Sequence, residues 1–300
     1  MTENAATFSP SLVLSLGKLA NRAALDTQSL LLRSDPWRVR TVRFLTLNGA
    51  ESGFSWGQTR SGRAGQFPKS GRAQTCAAML QSAGRWQAEL DQALHTLRAH
   101  ERVLTMGVEA RTVQPLRVLA IADLREPGAA ALFPLLASLP GLLAREPYCQ
   151  VSLFLNLADF GPPGKQACRA ANLADLQDLF SSNSPLRARL AAELGIDTSG
   201  PLDAQVFLFD RYKEGSWEVK DEAELGVILG NCLLAGLLGE TALGGQVCTQ
   251  TDEPLYSGVG AAALVYDPAE LMESCAARLG AELLNTEFGA SALPELRAIQ

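Results

Sequence analysis

The sequence predicts an α/β protein built on a mostly parallel, doubly wound sheet. Three observations carry that prediction: short apolar runs recur along the chain, helical periodicities separate them, and the runs close at glycine, asparagine or acidic residues. Strands apolar on both faces belong inside a sheet that helices cover from both sides. With 300 residues and 47% hydrophobic content, the chain suffices for one large domain and is too apolar to stay unfolded.

Residues 11–16 (SLVLSL) form a strand that runs into Gly17, and residues 19–32 have helical spacing up to the stop at Ser34-Asp35-Pro36. Residues 39–47 (VRTVRFLTL) alternate as a second strand, closed by the turn signal Asn48-Gly49. From Cys76 to Met106 an apolar stripe through Leu80, Trp86, Leu90, Leu94, Leu97 and Val103 predicts one long helix or two consecutive ones. Residues 116–122, 150–157 and 204–209 are near-continuous apolar runs, hence central strands. Helices lie between them at 129–145, broken at Pro140-Gly141, and at 172–194, interrupted around Asn183 to Pro185. Residues 222–238 are apolar nearly all round, which predicts a buried central helix. An edge strand at 257–266 and a helix at 268–285 follow. The expected organisation is an α/β domain over residues 1–240, core helix included, with a small C-terminal extension over 241–300.

A net charge of −6 and a pI near 5.1 set the whole-molecule field against nucleic acid and anionic membranes. No stretch approaches the length of a membrane-spanning helix, and residues 1–10 lack the basic start and apolar core of a signal peptide. The expectation is a cytoplasmic protein that engages neither membrane nor nucleic acid. Cys76, Cys149, Cys168, Cys232, Cys248 and Cys275 stand singly, as small thiols of a reducing compartment. His95 and His100 are five residues apart on a helix, about 140° around its axis, and cannot chelate one metal from one face. No metal site is expected.

Charge is uneven. Nine basic residues face two acidic ones between Arg33 and Arg85, a balance of +7 that leaves −13 for the remainder. Within this region residues 51–75 are rich in Gly, Ser and Arg and read as a long loop carrying Arg60, Arg63, Lys69 and Arg72. Such a loop is either a solvated excursion or a surface for an anion or an acidic partner. Gly57 to Ala64 nearly spells a phosphate-binding P-loop, but arginine replaces the lysine and alanine the magnesium-binding hydroxyl. Gly258-Val-Gly260-Ala-Ala-Ala263 fits a dinucleotide fingerprint formally, yet no helix follows, and an antiparallel edge strand is the preferred reading. No G-x-S-x-G elbow supports hydrolase chemistry.

Two strand ends carry a family resemblance. Residues 9–17 (SPSLVLSLG) resemble the opening strand of the bacterial tubulin-like family, relatives of tubulin and of the bacterial cell-division tubulin homologue. Lys18, Leu19 and Ala20 stand where that family runs into a Gly-Gly-Thr-Gly loop. Residues 118–134 (VLAIADLREPGAAALFP) resemble the family's strand and G-G-G-T-G-S-G phosphate loop, with Gly128 the one glycine left. Residues 210–215 and then 221–238 resemble its sixth strand and long core helix, whose asparagine or aspartate reads the base; Asn231 is the nearest counterpart.

The resemblance spans residues 9–285 and implies GTP or another nucleotide as ligand, with Gly17, Lys18, Asn48, Asp123, Gly128, Ala129 and Asn231 as its contacts. It also implies self-association. Family members hydrolyse GTP with acidic residues on the loop after the core helix, acting in the neighbouring subunit's site; Asp252 and Glu253 are the candidates here, outside any N-x-D pattern. With both glycine loops degenerate, the favoured function is a tubulin-like assembly or scaffold protein with eroded or absent GTPase activity. One alternative is an active GTP binder that grips phosphate with Lys18 and the side chains of the basic loop. Another is an unrelated α/β enzyme or interaction module.

Overall fold

The computed structural model describes residues 9–50, 53–59, 71–104, 115–144, 146, 148–158, 166–181, 183–196, 204–210, 219–238 and 255–258. All lie in the compact unit Met1–Gly260. The first part of the chain runs β1 (Ser11–Leu16), α1 (Lys18–Ser34), a 3-10 turn (Arg38–Thr41), β2 (Val42–Ala50), β3 (Gly53–Gln58), α2 (Arg72–Gln81) and α3 (Ala83–Leu104). There follow β4 (Leu116–Asp123), a 3-10 turn (Pro127–Ala131), α4 (Leu132–Leu143), β5 (Cys149–Asn156), α5 (Gln166–Phe180), α6 (Pro185–Leu194), β6 (Gln205–Phe209), α7 (Glu222–Leu238) and β7 (Leu255–Gly258).

The strands form one sheet of seven in the order β3-β2-β1-β4-β5-β6-β7. Every pairing is parallel except β2 with β3. The predicted α/β class and mostly parallel sheet are therefore present. Alternation along the strands sends Leu12, Leu14, Leu16, Val118, Ala120, Leu153 and Leu155 into one core, where Met79, Trp86, Leu90, Leu135 and Leu176 of the covering helices meet them. The residues between them, among them Val13, Leu119, Ile121 and Phe154, are buried on the opposite face. There α1 contacts β1, β2 and β4 and packs along α7. Thr27 ties that helix pair together, its hydroxyl lying 2.8 Å from its own helix's Ala23 carbonyl and 3.0 Å from the Gly230 carbonyl of α7.

The termini of α7 are satisfied by side chains. Asp221 accepts from the amides of Ala223 and Glu224 at 2.8 and 2.9 Å, and Glu224 reaches back to the Lys220 amide at 2.8 Å. At the other end Arg117 donates to the Gly236 carbonyl at 3.1 Å and Arg38 to that of Leu237 at 2.8 Å, cations where the helix dipole favours them. Burial first, and then the neighbouring Arg38, lower the Arg117 guanidinium from its ordinary value.

Several expectations need correction. The second strand spans Val42–Ala50, so Asn48 and Gly49 are ladder residues opposite Ser55 and Phe54, and the hairpin closes beyond them at the Ala50–Gly53 pair. Residues 51–75 are not all loop: Gly53–Gln58 is an antiparallel edge strand, held because Phe54 and Trp56 alternate into the core. Gly53 has φ 107° and a Cβ there would meet Ser82 Cβ at 2.8 Å, so only glycine fits that corner. Arg72 opens α2 rather than belonging to the loop. Helix α4 continues through Pro140 near its C-terminal end, forgoing the one amide bond that residue 140 would otherwise make to the Leu136 carbonyl.

Helix α7 is not buried all round, since Val227, Asn231 and Ala235 make an exposed stripe at i, i+4 spacing. Residues 255–258 pair parallel to β6, against the antiparallel edge strand expected. The rest of that strand, residues 259–266, lies outside the described residues, as does the helix expected at 268–285. Among the described residues no helix is long and apolar enough to cross a membrane.

Candidate functional site

The chain leaves β1 for β2 on one side and returns at β4 on the other, so the strand order switches between β1 and β4. In open α/β sheets ligands bind in the crevice outside the carboxyl ends at such a switch. Leu16 and Ala122 are paired across it, so Gly17 and Asp123 stand at one level on either side.

On the β1 side Gly17 has φ 97° and ψ 176°, a conformation open to glycine alone, and turns the strand directly into α1. Lys18 follows and is exposed. Beneath the turn is a buried polar cluster that joins β1, β2 and Thr59, the residue after β3, to α1. Thr46 Oγ1 donates to Asn21 Oδ1 at 2.6 Å, while the hydroxyls of Ser15 and Thr59 lie 3.0 and 2.9 Å from it. One hydroxyl has one proton and two lone pairs, so with Thr46 donating to Asn21, Thr59 donates to Thr46, and the single Ser15 proton is shared between Thr46 and the Leu45 carbonyl 3.2 Å away.

The β4 side is charged and closed. Asp123 and Arg125 are each 2% exposed. Arg125 Nε lies 2.8 and 3.1 Å from the two Asp123 oxygens, Nη2 bonds Oδ2, and the Arg125 amide donates to Oδ1 at 3.1 Å. Nη2 also reaches Glu222 Oε1, on the first turn of α7, at 3.0 Å. Burial opposes the guanidinium's charge, but the hydrogen bonds and charge of Asp123, with Glu222 behind them, hold it above its ordinary value.

The loop's own amides are engaged as well. Leu124 donates to the Asn156 carbonyl, Glu126 to that of Asp123 and Ala129 to that of Glu126, while Pro127 has no N–H. Gly128 and Ala129 are buried in the 3-10 turn. The backbone donors that a phosphate loop presents to its ligand are here largely bound to the protein itself. Asn172, fully buried on α5, fixes the loop from behind by donating to the carbonyls of Leu124 at 2.9 Å and Glu126 at 3.2 Å. Its oxygen accepts Arg72 Nε at 2.6 Å, and Arg72 also pairs with Asp175.

Of the residues singled out from sequence, the structure brings Gly17, Lys18, Asp123, Gly128 and Ala129 to the crevice edges. Asn48 lies on β2, its amide donating to the Thr46 carbonyl at 3.1 Å. Asn231 sits on the exposed stripe of α7, about two and a half turns beyond the Glu222 end that meets Arg125. Arg72 is engaged by Asn172 and Asp175. Arg60, Arg63, Lys69, Asp252 and Glu253 lie outside the described residues.

Sequence reasoning missed Arg125, Asn156, Asn172 and the Ser15–Asn21–Thr46–Thr59 cluster. Arg125 had a signal, as a cation two residues after the strand-ending Asp123. A second depression, bounded by Arg117, Gln150, Ser152, Phe207 and Gly236, encloses about 20 Å³, room for a water and not for a nucleotide. Cys76, Cys149 and Cys168 are free thiols, and burial pushes Cys149 up to about 12. Among the described residues no group of three or more His, Cys, Asp or Glu is placed to hold a metal.

Fold and crevice thus define a doubly wound α/β protein with a ligand-type switch point whose β4 side is closed by its own side chains. No protein-family model and no curated protein matches the sequence. Among solved structures the chain is similar to TubZ of Clostridium botulinum phage c-st, at 8% identity over 76% of this chain and 58% of that one, with a TM-score of 0.43. The chain therefore spans a little over half the length of that structure. This is a likeness of general arrangement that assigns no residue a role.

Proposed function

We propose that the protein is a tubulin-like assembly or scaffold protein of the cytoplasm that associates with itself and has eroded or absent GTPase activity. The observation that carries the reading is the loop after β4. It occupies the position of the family's phosphate loop in the sequence resemblance, at the switch point of a sheet of suitable order, yet its amides and Asp123 are bound internally. A frame retained without its phosphate cradle suits a protein that works through its surfaces. The test is sedimentation of purified protein across a concentration series, with and without GTP and magnesium. Concentration-dependent assembly indifferent to GTP is expected. A protein that stays monomeric throughout, or one that hydrolyses GTP, sinks the reading.

A second reading, a GTP binder using the basic loop, is favoured by one observation. The residues flanking positions 60–70 are rooted on opposite sides of the crevice, Thr59 in the hydroxyl cluster beside β1 and Arg72 on Asn172 behind the β4 loop. Arg60, Arg63 and Lys69 are its grip. Titration with labelled GTP decides: saturable micromolar binding, lost on replacing those three by serine, would install this reading in place of the first.

A further inference from the structure

We infer that the Asp123 carboxylate is a tethered anion filling a latent oxyanion site, and that it is the residue that closes the crevice to phosphate. The inference deepens the proposed function, resting on its reading of the crevice as the place where phosphate would be held, and is independent of assembly. Around the carboxylate stand the two donors of one edge of a buried guanidinium, Nε and Nη2, and the Arg125 amide. A planar fork with a backbone amide is the donor set that recognises carboxylate and phosphate.

A second observation points the same way. Asn156 is the ladder partner of Asp123 on β5, about 4.8 Å away across the sheet, so both side chains leave the same face. Asn156 is 1% exposed, its oxygen accepts from the Ala158 amide at 2.8 Å, and its amide nitrogen has no acceptor. A buried donor that the fold leaves unsatisfied costs free energy, and it marks a place where an acceptor oxygen is missing. The donors suited to an external anion are therefore present, but the anion is covalently attached. Attachment gives it an effective concentration that free phosphate does not match, and its charge repels a second anion. Asp123 is thus a specificity-determining residue.

The probe is inorganic pyrophosphate, titrated calorimetrically into wild type, Asp123→Ala and the Asp123→Ala/Arg125→Met double variant. Wild type is expected to give no saturable heat, Asp123→Ala to bind at least about tenfold more tightly than wild type, and the double variant to lose that gain. Saturable binding by wild type, or a folded Asp123→Ala protein that binds no better than wild type, overturns the inference. If Asp123→Ala proves unstable, the second measurement is its melting temperature in sodium formate and in sodium chloride of equal strength, because formate restores a carboxylate to the vacated position. A rise in formate alone supports the inference; the same curve in both salts overturns it. Assembly is untouched by these outcomes, so failure to self-associate refutes the proposed function and pyrophosphate binding by wild type refutes this inference.

Discussion

The turn after β1 and the loop after β4 face one crevice from neighbouring strands, yet uncharged groups hold the first and buried ions hold the second. Under Gly17 three hydroxyls and an amide share protons, and the charged residue of the turn, Lys18, is exposed. At Asp123 a carboxylate and a guanidinium are taken almost completely out of water, with Asn172 bracing the backbone around them. The neutral arrangement leaves the mouth of α1 unfilled by any side-chain cap. The ionic one satisfies itself. The crevice is consequently asymmetric, and its two sides respond differently to the loss of one partner.

The largest effect is expected at the ionic side. Replacing Arg125 by methionine keeps the bulk but leaves the Asp123 carboxylate buried without its guanidinium, a change that costs about 3–5 kcal/mol. Urea unfolding should show that loss with little change in slope, because the surface exposed on unfolding is nearly the same. A cost below about 1 kcal/mol would place the Asp123–Arg125 pair in water and dissolve the contrast.

Thr46→Val tests the neutral side with near-isosteric bulk. It removes the acceptor for the Thr59 hydroxyl and the donor to Asn21 Oδ1, and leaves the Ser15 hydroxyl with the Leu45 carbonyl alone, at a site where Thr46 is 1% exposed. A loss of about 2–4 kcal/mol is expected, from polar groups stripped of partners rather than from charge. Salt separates the mechanisms: the Thr46→Val cost should not change with sodium chloride concentration. A salt-dependent cost would show that the cluster acts through nearby ions.

How much of this was legible depends on whether the signal is local. Ser11–Leu16 and Glu222–Leu238 were read with their boundaries intact, because a buried strand or helix writes its pattern into consecutive residues. Gly53–Gln58 was lost among glycines and serines, since only Phe54 and Trp56 mark its buried face and two apolar residues are too few to announce a strand. The degeneracy of the β4 loop was legible as missing glycines, but its consequence was not. That Arg125 would fold onto Asp123, and that Asn172 would hold the same loop from 46 and 48 residues away, are facts of tertiary placement. The hydroxyl cluster is still less readable, because Ser15, Asn21, Thr46 and Thr59 come from four segments and each suits a turn or a surface equally well.

Gly17→Ala probes the backbone rather than the side chains. At φ 97° a Cβ strains the turn by about 1–3 kcal/mol. The comparison sharpens if stability falls by that amount while the Arg125→Met penalty, measured in the same background, is unchanged, since the two sides share no bond described above. Strong coupling between them would mean that the crevice is one cooperative unit.

The smallest effect is expected from Glu222→Gln, which separates the two acids that Arg125 bridges. Glu222 accepts from Nη2 at 3.0 Å but is 54% exposed, whereas Asp123 is 2% exposed. A half-exposed carboxylate is already well solvated, so its pairing contributes about 0.2–1 kcal/mol and is screened by salt, with a Debye length of about 10 Å at 0.1 M and about 3 Å at 1 M. The Glu222→Gln difference from wild type should therefore shrink toward zero in 1 M sodium chloride, while the Arg125→Met penalty persists because Asp123 lies where ions do not reach. Thermal unfolding of both variants at the two salt concentrations checks this. If Glu222→Gln costs as much as Arg125→Met at both, the buried unit includes α7 itself, and the β4 loop and that helix must be treated as one ionic side.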